Sequence, residues 1–148
     1  MATLRESGPP GVRWRELPHG ADRSIEVRGP DFPALVAGCV VALGRMAFGP
    51  EGLEARREEQ TRVAPCDPEA MLFQVLAEVV FWMDARGWIP VAAEGLAEPD
   101  GGLTLRVACD VFDPARHRVR GMLKAPTLNG MRVRQGRRGW SVRVVVDT

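Results

Sequence analysis

Polar and apolar residues alternate with a period of two over Arg23-Ser24-Ile25-Glu26-Val27-Arg28, the pattern of a half-buried strand. Gly29-Pro30-Asp31 then breaks the chain and the period changes. Leu35, Cys39, Ala42, Leu43 and Met46 recur at helical spacing, which predicts a helix from Asp31 to about Met46. Val36, Val40 and Val41 widen the apolar stripe, as expected of a helix buried on more than one side. Gly49-Pro50-Glu51-Gly52 ends it. Leu53 to Val63 is polar and alternates poorly, so it reads as an edge strand or a partly ordered segment. A second helix opens at Asp67-Pro68-Glu69, with an N-cap, a proline at the first helical position and an acid facing the dipole. Its stripe is Leu72, Val75, Leu76, Val79, Val80 and Met83, and Gly87 stands where a left-handed C-cap belongs.

From Trp88 onward the pattern is all strand. Trp88 to Ala92 leads to the turn Glu98-Pro99-Asp100-Gly101-Gly102. Leu103, Leu105, Val107, Cys109 and Val111 then alternate with Thr104, Arg106, Ala108 and Asp110. After a break at Phe112-Asp113-Pro114, a strand is predicted from about Val119 to Thr127. Asn129-Gly130 is a hairpin signal, with Met131 to Gln135 pairing back. Gly136-Arg137-Arg138-Gly139 makes the last turn, and Trp140, Val142, Val144 and Val146 alternate to the end. Strand, helix, strand, helix and a meander predict an α+β fold, a mixed or antiparallel sheet layered against two helices. The 148 residues suit a single domain. The start is interrupted by glycine and proline, so a flexible N-terminus over 1–13 and a folded domain over 14–148 are expected.

Net charge is +1, yet its distribution is uneven: acids dominate from Glu51 to Asp100 and arginines from Gly101 onward. That asymmetry fits either a phosphate-bearing partner or solvated strand faces. Cys39, Cys66 and Cys109 are odd in number, far apart and without C-x-x-C pairing, which argues for reduced thiols in a cytoplasmic protein. No apolar run approaches a membrane span, and the first fifteen residues do not resemble a signal peptide, so no membrane association is expected.

Candidate chemistry sits near the two ends. Leu17-Pro18-His19-Gly20-Ala21-Asp22 is a turn that enters the first strand, where a carboxylate is held but reachable. Asp22 either caps this turn through backbone N–H groups or serves a function. Asp147, next to last in the final strand, is either a solvated chain end or a partner of Asp22. Asp22, Asp147 and the terminal carboxylate of Thr148 would make an all-oxygen site for a hard cation such as Ca²⁺ or Mg²⁺. Lys124 is the lone lysine among twenty bases, a compact point charge suited to a phosphate or a metal site. His117 reads as a loop histidine, and Glu78 lies at the edge of the second helix's apolar face. There is no phosphate loop, no H-E-x-x-H and no Ser/His/Asp context, so a self-sufficient enzyme is not indicated.

Taken together, four segments resemble the archease family: Leu17 to Asp22, where the family has His-Thr-Ala-Asp; Phe112-Asp113-Pro114-Ala115-Arg116-His117; Leu123-Lys124-Ala125-Pro126-Thr127 with Gly130; and Val144-Val145-Val146-Asp147. The second helix, Leu72 to Asp84 with Glu78 inside it, is similar too. The resemblance implies an α+β domain that binds a divalent ion (Ca²⁺, Mg²⁺ or Mn²⁺) through Asp22 and Asp147, beside Lys124. His19, Glu78 and His117 would line the same surface. It also implies a partner, the tRNA-splicing RNA ligase that joins 3′-phosphate or 2′,3′-cyclic-phosphate ends. Archeases promote guanylylation and turnover of that ligase and are not ligases themselves. Gly20 replaces the family threonine and removes its hydroxyl. A different class of function is an RNA-binding or chaperone-like module built on the arginine-rich meander. Modulation of a tRNA methyltransferase, with tRNA as partner, is the corresponding family alternative.

Overall fold

A computed structural model describes residues 5–6, 9–17, 22–121, 123–127 and 130–147. Nine strands and two helices run in the order β1 (Arg5–Glu6), β2 (Arg13–Leu17), β3 (Arg23–Gly29), α1 (Phe32–Phe48), β4 (Arg57–Val63), α2 (Pro68–Phe81), β5 (Trp88–Ala97), β6 (Leu103–Val111), β7 (Ala125–Thr127), β8 (Val133–Gly136) and β9 (Gly139–Asp147) among the described residues. They build two antiparallel sheets. One has six strands with the path β1-β2-β3-β9-β7 and β8 also on β9; the other has three, ordered β4-β6-β5. The α+β class read from the pattern is the one the chain adopts.

α1 is the centre of the molecule. Asp31 caps it, its carboxylate accepting the Ala34 N–H at 2.8 Å, and Pro33 follows in the first turn. Every residue from Ala34 to Phe48 except Arg45 is buried, because the helix touches β5 on one side and β2, β3 and β9 on the other. Two glycines make that enclosure possible. A Cβ on Gly38 would lie 2.3 Å from a Val12 methyl on the six-stranded sheet, and one on Gly44 would lie 2.5 Å from the Pro90 carbonyl oxygen on the three-stranded sheet. Gly44→Ala should therefore destabilise the protein despite a helix-propensity gain of about 1 kcal/mol. The rigid carbonyl forces a backbone shift costing up to about 3 kcal/mol, and a lower urea midpoint is the expected result.

α2 begins as the sequence predicts, with the Asp67 carboxylate accepting the Ala70 N–H at 2.9 Å. It passes into a single π-helical turn, Trp82–Arg86, closed by left-handed Gly87 (φ 68°, ψ 24°). Leu72, Leu76 and Val79 join Leu35, Leu43, Met46, Ile89 and Leu105 in one continuous core. β4 is the expected edge strand, paired to β6 alone.

Ahead of residue 14, β1 and β2 pair and Val12 is fully buried against α1. Two expectations need correction. The strand predicted from Val119 to Thr127 shrinks to Ala125–Thr127. The segment before it turns away to give the Arg120 N–H to the Ala47 carbonyl at the end of α1 (2.7 Å). Nor does the chain after Gly130 pair back on β7. β7 and β8 lie end to end along β9, registered on residues 145–147 and 139–142 respectively. β8 is anchored across the molecule by its Val133 N–H, which donates to Glu69 of α2 at 2.7 Å.

Candidate functional site

β9 is the strand on which the site depends. Its even-numbered residues Val142, Val144 and Val146 are buried, so Ser141, Arg143, Val145 and Asp147 face outward. β3 lies antiparallel beside it, with Arg23 opposite Val146 and Ser24 opposite Val145. The paired register ends at Arg23 and Val146, so Asp22 directly precedes β3 where that strand runs beside the end of β9, and Asp147 is the last residue of β9. Asp22 is partly exposed and Asp147 exposed. On the other flank of β9, Ala125 pairs with Asp147, and the Lys124 N–H donates to the Asp147 carbonyl oxygen at 2.9 Å. The exposed Lys124 thus stands beside the end of β9.

Pairing of β9 with β3 on one flank and β7 on the other brings the segments that carry Asp22 and Lys124 to the same end of the sheet as Asp147. Among the described residues no arginine or lysine forms an ion pair with either carboxylate, and no group of three or more His, Cys, Asp or Glu converges. Carboxylate oxygens are the donors a hard divalent cation takes, so the chemistry of Asp22 and Asp147 suits the ion that the family likeness implies. His19 and Thr148, also expected here, lie outside the described residues.

Two of the remaining site residues do other work. His117 is not a surface histidine: its side chain is completely buried and its Nε2 lies 2.8 Å from Asp110 Oδ2. Its Nδ1 accepts the Asp113 N–H at 2.9 Å, which leaves the ring proton on Nε2, donated to Asp110. Glu78 accepts the indole N–H of Trp82 at 3.0 Å and braces α2 against the π-helical turn. Neither makes a hydrogen bond or ion pair with Asp22, Asp147 or Lys124 among the described residues.

Asp110 itself escaped the sequence reading. It lies on the polar face of β6 beside Arg106 and Ala108, yet is fully buried because the chain after Phe112 folds back over it. Its oxygens accept the Glu54 N–H (2.9 Å), the Val111 N–H (2.7 Å), both terminal nitrogens of Arg116 (3.2 and 3.3 Å) and His117, with Arg56 Nε at 3.1 Å. Burial alone would push this carboxyl up. The bonds from Arg116, Glu54, His117 and Val111 outweigh it and hold the group well below the usual carboxylate range. Asp113 closes the same turn, accepting the Ala115 N–H at 2.9 Å. The Phe112-to-His117 motif is thus a staple. It fixes the path of the chain past the end of α1 and on to Lys124 and β7.

The fold defines a class: a small α+β domain with one helix enclosed between two antiparallel sheets, and the first and last long strands of one sheet paired to each other. Comparison with known proteins makes this particular. The Archease protein family (MTH1598/TM1083) matches residues 14–148, and the chain belongs to that family. It is similar to the "Probable protein archease" of Mycobacterium tuberculosis, 29% identical over 149 residues, covering 99% of this chain and 82% of that protein. The "Protein archease" of Pyrobaculum neutrophilum is 27% identical over 143 residues, covering 94% and 96%. Among solved structures, protein 1598 of Methanobacterium thermoautotrophicum shares the fold with a TM-score of 0.71 at 19% identity, covering 93% of this chain and 99% of that one. The Thermotoga maritima archease TM1083, described as a possible chaperone, aligns with a TM-score of 0.60 at 18% identity, covering 89% and 94%. No helix among the described residues is long and apolar enough to cross a membrane.

Proposed function

We propose that this protein is a non-catalytic activator of the tRNA-splicing RNA ligase that joins 3′-phosphate or 2′,3′-cyclic-phosphate ends, acting through a divalent cation held by Asp22 and Asp147. One observation carries the reading. The antiparallel pairing of β3 with β9 supports it, because it brings the start of β3, which Asp22 precedes, beside the end of β9, where Asp147 is the last residue. The bound ion supplies a concentrated positive charge at the protein surface. Asp22 and Asp147 hold it, and their remaining negative charge keeps it exchangeable with water and accessible to a partner. Lys124 adds an ammonium at the same end of the sheet and favours an anionic group, such as a nucleotide phosphate in the partner's site. The buried Asp110 staple contributes no chemistry; it sets where Lys124 enters the sheet.

Adding the protein to the cognate ligase with GTP and Mg²⁺ or Mn²⁺ should raise the fraction of guanylylated ligase and turn single turnover into multiple turnover. If guanylylation and turnover stay at the level of the ligase alone across a range of protein concentrations, this function is wrong.

A further inference from the structure

The outer face of the six-stranded sheet carries a second field of charge, opposite in sign to Asp22 and Asp147. One step in from Asp22 and Asp147 the face is neutral, with Leu17, Ser24, Val145 and Thr127 in register. The next row holds Arg15, Glu26 and Arg143, and the one after it Arg13, Arg28, Ser141 and Arg134. Glu26 is the single carboxylate of these two rows among the described residues, and it lies 3.5 Å from both Arg15 and Arg28. Arg28, Arg134 and Arg143 are exposed. Two hollows open on this field. One, of about 310 Å³, is lined by Glu26, Arg132, Arg134 and Arg143; the other, of about 430 Å³, by Arg28, Arg134, Arg137 and Arg138.

We propose that this face docks single-stranded RNA by its phosphates. Charge complementarity is the first ground: guanidinium forks match phosphate oxygens two at a time. Rigidity is the second. Strands hold same-face residues about 7 Å apart along the chain and about 5 Å apart across it, so these arginines form a fixed lattice rather than a flexible basic tail. Trp140 alternates with Val142 and Val144 to the other face of β9, where it packs against Phe32 of α1 at 5.7 Å between ring centroids, so recognition on the outer face rests on the arginines alone. The field lies about 13 Å along β9 from Asp147, four residues away, and needs no cation, so the inference does not rest on the ligase reading.

The test is fluorescence anisotropy with a labelled single-stranded RNA of about 12 nucleotides, within the usual site size of such surfaces. With about four phosphates neutralised, affinity should fall about 50-fold between roughly 50 and 200 mM salt. The exposed pair Arg134→Ser with Arg143→Ser should weaken binding at low salt and shrink the slope of log affinity against log salt by about 1.4, with the circular dichroism spectrum unchanged. No binding at low salt, binding unaltered by the arginine pair, or tighter capture of poly-glutamate than of RNA would each overturn the proposal. Guanylylation of the ligase without RNA reads the other function separately, so failure of one is not failure of both.

Discussion

Asp110→Ala lowers the stability of the fold by about 3 kcal/mol, one of the two largest effects expected of any single substitution here. The side chain is fully buried, and removing it strands several donors at once. Arg56 and Arg116 can swing partly into solvent, since they are 44% and 30% exposed. The Glu54 N–H and the buried His117 ring cannot, and each keeps its desolvation cost. Equilibrium urea unfolding should show a lower midpoint with an unchanged slope, whereas a shift below about 0.5 kcal/mol would mean the network is not holding the loop. The same carboxylate gives the fold an acid limit. Its folded value is depressed below the ordinary 3.8, so its contribution is fully present above about pH 4 and drains away as pH falls towards the folded value. The Asp110→Ala protein should lose that part of the acid sensitivity.

Replacing either Asp22 or Asp147 by asparagine should reduce stimulation of ligase guanylylation by about 10-fold or more while leaving the unfolding curve almost untouched. Asparagine keeps the shape and one oxygen ligand but removes the charge that a hard cation needs. Neither side chain has a protein partner among the described residues whose loss would destabilise the strands. The double substitution should be little worse than either single one, because two ligands of one ion act as a unit and their effects do not add. Additive losses would indicate two separate contacts. Lys124→Ala should have a smaller effect than either, since it neighbours Asp147 and is not a ligand.

Local features of the chain were legible in the sequence; long-range ones were not. Both helices could be read because Asp31 and Asp67 cap them, prolines follow in the first turn, and the apolar residues repeat at helical spacing. The near-total burial of α1 was visible in Val36, Val40 and Val41 outside the stripe. β2 was missed because Arg13-Trp14-Arg15-Glu16-Leu17 has a single large apolar residue facing in, and its strand character comes from pairing with β3. Val119 to Thr127 alternates like a strand, but its first half gives its hydrogen bonds to the end of α1. β8 pairs with β9 across the Gly136-to-Gly139 turn that the sequence shows, rather than back across Asn129-Gly130, because two hairpin signals flank the same short strand and only one of them closes. Asp110 followed the polar alternation correctly, and only the loop folding back over it made it a buried charge. As for the site, the sequence offered Asp22 and Asp147 as candidates without saying that they meet. The alignment of β3 with β9 brings the two ends of the chain side by side, and that pairing over more than a hundred residues of sequence is what a local pattern does not carry.

The central claim, that these two aspartates share a cation, is tested most directly by titrating Mn²⁺ into the isotopically labelled protein. Paramagnetic broadening of the amide signals should begin at the residues around Asp22 and Asp147, spread first to Lys124, and vanish in the Asp22→Asn, Asp147→Asn double variant. Broadening centred elsewhere, or equal in the double variant, would contradict it.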